Sequence, residues 1–129
     1  QFSLAPDAIW LAGFEITSLN DRQLEFTLSW QSERRPTQNY TVFAQLLDPR
    51  GHLVNSFDRP PLDGAYPTST WLPNQTILDR RTLPVAGVSP GSYTLIAGLY
   101  NSGIGQRMVT EDGTDFVRLT TITIQNSDP

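Results

Sequence analysis

Apolar and polar residues alternate strictly in several short runs of this chain, and this period of two constrains its fold most. In the run QLEFTLSWQ at Gln23–Gln31, every even-numbered residue is apolar and every odd-numbered residue is polar. Such a pattern predicts a half-buried β-strand, with Trp30 on its buried side as a structural residue. No segment repeats its apolar residues with a period of 3.6, so no helix is expected.

Seven or eight such strands are predicted, separated by turns rich in proline and glycine. A chain of 129 residues has the usual size of one domain. The pattern therefore predicts an all-β, immunoglobulin-like antiparallel β-sandwich, a single domain over residues 1–129 with an ordered core at about 9–124. The predicted runs are Trp10–Ile16, Gln23–Gln31, Tyr40–Leu47, His52–Phe57, Ile77–Leu83, Tyr93–Tyr100 and Val117–Ile124, with a short run at Gln106–Thr110.

Three of these runs carry more specific expectations. Tyr40–Leu47 is apolar on both faces, which predicts a central strand that is covered on each side or faces a neighbouring domain. In Val117–Ile124 the apolar parity changes along the run, which predicts a β-bulge near Thr120–Thr121. The expected buried face of the first run consists of Trp10, Ala12, Phe14 and Ile16.

Composition excludes several classes of function. The net charge of −4 argues against a nucleic-acid partner, because such a partner favours a basic stripe. The absence of cysteine excludes disulfides, thiolate catalysis and thiolate metal sites. No apolar run approaches the ~18 residues of a membrane span, so direct membrane insertion is not expected. Because the chain starts at Gln1, we expect it to be excised from a longer chain.

Catalytic signatures are weak. Gly87–Gly91 matches the G-x-S-x-G pattern of a serine-hydrolase elbow, but Pro90 has no N–H for the oxyanion hole. His52 is the sole histidine and follows a turn glycine, where a solvated side chain is the simpler interpretation. The acidic turn at 111–115 lacks the spacing of a defined calcium loop. We therefore predict no enzyme, no catalytic residue, no metal site and no cofactor.

The long connection at 58–81, DRPPLDGAYPTSTWLPNQTILDRR, is the predicted working surface. Loops of this length are usually functional or disordered, and a disordered tract is expected to lack large aromatic residues. Its aromatic residues suit stacking on a sugar ring, and its charged residues suit hydrogen bonds to hydroxyl groups. Two alternatives remain open: the aromatic residues anchor the loop on the sheet, or they contact a protein. The candidate ligand-binding residues are Asp63, Tyr66, Trp71, Asp79, Arg80 and Arg81.

Several blocks of the chain carry a family resemblance: YTVFAQLLDPRGHLV, DRPPLDGAYPTSTWLPNQTILDRRTL, PGSYTLIAGLY and GQRM. Together they resemble an uncharacterised family of bacterial sandwich domains, over about Trp10 to Ile124. Such domains occur as extracytoplasmic C-terminal modules of membrane proteins that resemble dolichyl-phosphate-mannose-type glycosyltransferases. Gln45 and Asn74 depart from the family pattern, which often has histidine and glycine there. The resemblance implies fold and context, and assigns no catalytic residue.

The block Pro90-Gly91-Ser92-Tyr93 is similar to the tyrosine corner of immunoglobulin-like folds, so Tyr93 is expected to be structural. The leading hypothesis is a non-catalytic accessory module of a bacterial membrane-associated glycan-handling protein. It is expected to be extracytoplasmic, at the cell surface or in the periplasm, and to bind a glycan or a neighbouring protein domain. The alternatives are a structural spacer or subunit-contact domain, and a proteinase-inhibitor-like sandwich that presents loop 59–75.

Overall fold

The computed structural model describes residues 2–4, 7–59 and 67–125. They form two four-stranded antiparallel sheets packed face to face, as the alternation predicts. A short 3-10 turn at Thr68–Thr70 is the one helical element of the described residues. The strands are β1 (Phe2–Leu4), β2 (Asp7–Leu19), β3 (Gln23–Gln31), β4 (Tyr40–Leu47), β5 (Leu53–Arg59), β6 (Ile77–Pro84), β7 (Gly91–Asn101) and β8 (Val117–Ile124).

The order of the strands is β1-β2-β3-β6 in the first sheet and β5-β4-β7-β8 in the second. Along the chain, β1 to β3 lie in the first sheet, β4 and β5 in the second, β6 in the first again, and β7 and β8 in the second. This order of crossings between the sheets is that of an immunoglobulin-like sandwich. The predicted bounds of β3 and β4 are confirmed to the residue. None of the described residues forms a helix long and apolar enough to cross a membrane.

The core lies between the two sheets and is built from the residues whose parity the alternation predicts. On β3, Leu24, Phe26, Leu28 and Trp30 are all at most 1% exposed. The tyrosine corner is also present, since the Tyr93 hydroxyl donates a 2.6 Å hydrogen bond to the carbonyl oxygen of Ser89. The predicted run Gln106–Thr110 is not a strand; its Arg107 pairs with Tyr100 only in an isolated bridge.

Part of the outer face of the second sheet is covered by the chain itself. Phe43 points outward from β4 and is nevertheless 1% exposed, because the Arg107 guanidinium lies 4.1 Å from its ring centre. Gly98, opposite Phe43 on β7, leaves room for that ring: a Cβ there would lie 2.7 Å from Phe43 Cε1 and 2.9 Å from the carbonyl oxygen of Asp115. At Phe43 the apolar outer face of β4 is thus covered by Arg107 and the backbone of Asp115, as expected for a central strand covered on both sides.

The last strand carries the predicted irregularity one residue early. Leu95 pairs with Thr120, whereas the next residue, Ile96, pairs with Arg118, so Leu119 is the extra residue of a bulge in β8. The bulge reverses the parity that follows, and Ile122 returns to the core.

The first long strand departs from its predicted face. Leu11 pairs with Trp30 and Gly13 with Ser29, so Ala12 is the extra residue of a β-bulge in β2. Opposed residues of an antiparallel pair share a face, and Leu11 therefore points into the core with Trp30. The expectation that Trp10 and Ala12 face the core with Phe14 is wrong. Trp10 pairs with Gln31 instead, on the outer face of the sheet.

Candidate functional site

The predicted ligand-binding residues do not form one cluster. Asp63 and Tyr66 lie outside the described residues. Asp79, Arg80 and Arg81 are consecutive on β6, so strand geometry sends the middle side chain to one face and its two neighbours to the other. Arg80 is exposed on the outer face of the first sheet, whereas the other two are buried in the sandwich.

Asp79 and Arg81 form an ion pair inside the protein. Arg81 Nε and Nη2 donate to Asp79 Oδ2 at 2.8 and 2.6 Å, and Arg81 Nη1 lies 3.3 Å from the carbonyl oxygen of Val42. The two side chains are 1% and 4% exposed. They therefore join the edge strand β6 to β4 across the core, and at most 4% of either residue is open to solvent.

Trp71 is also in the interior, with no exposed surface, and belongs to the hydrophobic core. The residues before it are held by hydrogen bonds. Thr68 Oγ1 donates to the carbonyl oxygen of Gln38 at 2.7 Å and accepts from the Tyr40 N–H at 3.0 Å. The described part of the long loop therefore fits the anchoring alternative, and its tryptophan offers no face to a sugar.

The first sheet has an open outer face over β2, β3 and β6. A shallow groove of about 650 Å³ runs over β2, β3 and β6. Cross-strand pairing places Glu15, Thr27 and Arg80 in one row across it, and exposed Leu78 lies beside Ser29 in the next row. Hydroxyl and charged side chains thus predominate along this face, with Leu78 as an exposed apolar neighbour. The groove is lined by Phe14, Glu15, Thr17, Glu25, Phe26, Thr27, Ser29, Leu78, Arg80, Arg81 and Thr82.

Trp10 lies at one end of this face, half-buried, as a ridge between two clefts. One cleft, of about 270 Å³, holds the connection from β3 to β4 on its far side. The other, of about 400 Å³, lies toward the turn before β6. We call the two the arginine cleft and the amide cleft. The first is lined by Asp7, Ala8, Trp10, Glu33, Arg34, Arg35 and Thr37, and the second by Trp10, Leu11, Ala12, Gln31, Ser32, Glu33 and Asn74.

The base of the arginine cleft is fixed by a buried carboxylate. Asp7 is 5% exposed and accepts three hydrogen bonds, from the Tyr40 hydroxyl at 2.6 Å, the Thr37 N–H at 2.8 Å and the Thr37 hydroxyl at 2.9 Å. Burial, and then the neighbouring Asp7 carboxylate, raise the pKa of Tyr40 above its ordinary value. This network ties the start of β2 to the connection that carries the arginines, and so holds the cleft's two walls together.

Tyr40→Phe is expected to cost about 1–3 kcal/mol at pH 7, because it removes a hydrogen bond to a charged group. A tyrosine whose folded pKa is raised stabilises the fold fully below its unfolded pKa of about 10, and that stability is lost as the pH rises further. Urea denaturation at pH 7 and pH 11 checks both effects. The fall in stability between the two pH values is expected to be smaller in Tyr40→Phe than in the parent; an equal fall would contradict the assignment to Tyr40.

The alternation failed to identify Trp10 as a residue of the outer face, because a bulge interrupts the period of two. The signal was present in the sequence, since Ala12-Gly13 places two small residues inside a strand, and glycine in a strand often marks a bulge. A shift of one residue at that point sends Trp10 outward.

No group of three or more metal-ligating side chains is found within the described ranges.

Comparison with solved structures supports the fold. Part of a β-glucuronidase from glycoside hydrolase family 2 superposes with a TM-score of 0.59 at 13% identity, over 88% of this chain. The chain spans only 11% of that enzyme's length. The C-terminal domain of Wzt superposes with a TM-score of 0.53 at 12% identity, over 98% of this chain and 89% of that domain. No protein-family model and no curated protein matches the sequence.

Proposed function

We propose that this chain is a non-catalytic accessory module that binds a glycan on the outer face of its first sheet. The observation that carries the proposal is Trp10, an aromatic side chain half-buried between two clefts that contain polar residues, on the same outer face as an open groove. Aromatic rings present a flat apolar surface that suits the C–H face of a sugar, and placed polar groups around it fix the orientation.

The shape of the face suits an extended ligand. β3 is nine residues long, so the face runs roughly 30 Å along the strands. Along it, Trp10 is followed by rows of side chains that can bond hydroxyl groups, such as those of Glu15, Thr27 and Arg80. A linear glycan lying across Trp10 would find further polar contacts in the groove.

The wider context belongs to the same proposal. One structural neighbour is part of a glycoside hydrolase, which supports a link to glycan handling. The family resemblance supports an extracytoplasmic module of a bacterial membrane-associated, glycosyltransferase-like protein. The module would hold the glycan near that protein's catalytic machinery and perform no chemistry itself. The spacer alternative was motivated by the apolar outer face of β4, and Phe43 on that face is covered by Arg107.

The three tryptophans of the chain allow a direct test. Trp10 lies at the surface, whereas Trp30 and Trp71 are buried and serve as internal references. In ¹H–¹⁵N spectra, titration with a panel of oligosaccharides is expected to shift the Trp10 indole signal and leave the other two unchanged. If no oligosaccharide moves the Trp10 signal at millimolar concentration, the proposal is wrong.

Trp10→Ala is expected to weaken glycan affinity by about tenfold, because the stacking surface is lost. Its stability is expected to fall by less than that of a core tryptophan variant, since part of the ring is exposed on the outer face. Leu53→Ala is the matched control, because Leu53 is 56% exposed on the other sheet and should affect neither property. Calorimetric titration of the three proteins checks the prediction, and equal affinities for parent and Trp10→Ala would contradict it.

A further inference from the structure

The arginine cleft points to the class of glycan. We propose that the site binds an acidic glycan, with the carboxylate of a uronic sugar held by Arg34 and Arg35 while an adjoining sugar stacks on Trp10. The inference rests on the proposed function and narrows it to one chemical class of ligand.

Arg34 and Arg35 lie beside the stacking surface as cations exposed to solvent. Both are exposed in the connection after β3 and line the same cleft as Trp10. Among the described residues neither takes part in a salt bridge or a side-chain hydrogen bond, unlike Arg81 and Arg107. A guanidinium group matches a carboxylate through two parallel hydrogen bonds, and it is less strongly hydrated than an ammonium group. Two such groups in one cleft form a receptor for an oxyanion.

The amide cleft on the other side of Trp10 has different chemistry. Its polar groups include the uncharged side chains of Gln31, Ser32 and Asn74. Ser32 is 1% exposed, and its Oγ has no hydrogen-bond partner in the structure, which leaves a buried polar atom unsatisfied. A ligand hydroxyl in this cleft would satisfy it after a rotation of the serine side chain. The two clefts therefore suit an acidic sugar unit on one side of Trp10 and a hydroxyl-bearing unit on the other.

Two carboxylates also line the arginine cleft, and they differ in how strongly they repel an anionic ligand. Asp7 is buried, and its three hydrogen bonds come from Tyr40 and Thr37, so its charge is engaged inside the protein. Glu33 is exposed and lines both clefts. It opposes an anionic ligand, leaving two guanidinium groups against one free carboxylate. Neutralising Glu33 is therefore expected to tighten binding.

The experiment compares oligogalacturonate with the same oligosaccharide after reduction of its carboxyl groups, and includes a hexose phosphate. Binding is followed by calorimetry and by the Trp10 indole signal. The parent is expected to bind oligogalacturonate at least tenfold more tightly than the reduced form, with a preference that falls as salt is raised. Arg34→Gln/Arg35→Gln is expected to abolish the preference and keep the weaker binding of the reduced form. Glu33→Gln is expected to strengthen the binding of oligogalacturonate severalfold.

Arg50→Gln is the matched control, because Arg50 is exposed in a turn of the second sheet and lines neither cleft. Equal affinity for the acidic and reduced oligosaccharides would overturn the inference and leave the proposed function intact. Tighter binding of the hexose phosphate than of oligogalacturonate would overturn the carboxylate assignment. If neither oligosaccharide moves the Trp10 signal, the inference fails, and the proposed function fails with it once the wider panel is also negative.

Discussion

Replacing Asp79 by alanine is expected to destabilise the protein by about 3–5 kcal/mol, because it leaves the Arg81 guanidinium buried without its carboxylate. The pair is almost fully buried, and Asp79 Oδ2 accepts two hydrogen bonds from Arg81. Small domains are stable by only about 5–15 kcal/mol, so the variant would lose a large part of its margin. Urea denaturation gives the change in the free energy of unfolding. The midpoint urea concentration is expected to fall, while the slope of the unfolding free energy against urea concentration stays similar.

Arg80 provides the matched control one residue away. Its side chain is exposed on the opposite face of β6, so Arg80→Ala is expected to change stability by no more than about 0.5 kcal/mol. Asp79→Leu combined with Arg81→Met should lose less than Asp79→Ala alone, since apolar replacement removes both charges from the interior. If Asp79→Ala were as stable as the parent, the Asp79 carboxylate would not stabilise the buried Arg81 guanidinium.

These three residues show how far the sequence could predict the site. Ile77–Leu83 was predicted as a strand, and a strand sends consecutive side chains to opposite faces. The separation of Arg80 from Asp79 and Arg81 therefore followed from the sequence, although their charges suggested a shared binding role. Which face is buried did not follow from charge, because an ion pair can be placed in the interior when its partners bond each other.

Other parts of the fold differed in how well the sequence predicted their bounds and the positions of their side chains. The strands β3 and β4 were predicted to the residue because the alternation in β3 and the continuous apolar run in β4 are both local signals. The outward position of Trp10 depends on a bulge at Ala12, and a single extra residue reverses every parity beyond it. The burial of Phe43 on an outer face depends on contacts with Arg107, which is distant in sequence. Such contacts between distant segments leave no periodic signal.

Replacing Trp71 by alanine is expected to destabilise the protein by about 3–5 kcal/mol, as large-to-small substitutions in a core do. The indole is fully buried, and its removal would open a cavity where the long loop meets the sandwich. Trp71→Phe should lose less, because part of the volume is kept. Leu72→Ala is the neighbouring control, since Leu72 is 51% exposed and its loss should cost no more than about 0.5 kcal/mol.

Measured together, Trp71→Ala and Trp10→Ala separate the two interpretations of the aromatic residues. If Trp71 is an anchor, its variant unfolds at lower urea concentration, and the folded protein binds glycans with the affinity of the parent. If Trp10 is the stacking surface, its variant loses glycan affinity under conditions in which the protein is still folded. A Trp71→Ala protein that remains as stable as the parent but no longer binds glycans would indicate that the long loop, and not the outer face at Trp10, binds the glycan. That result would require Trp71 to leave the core, where the packing of the sandwich now holds it.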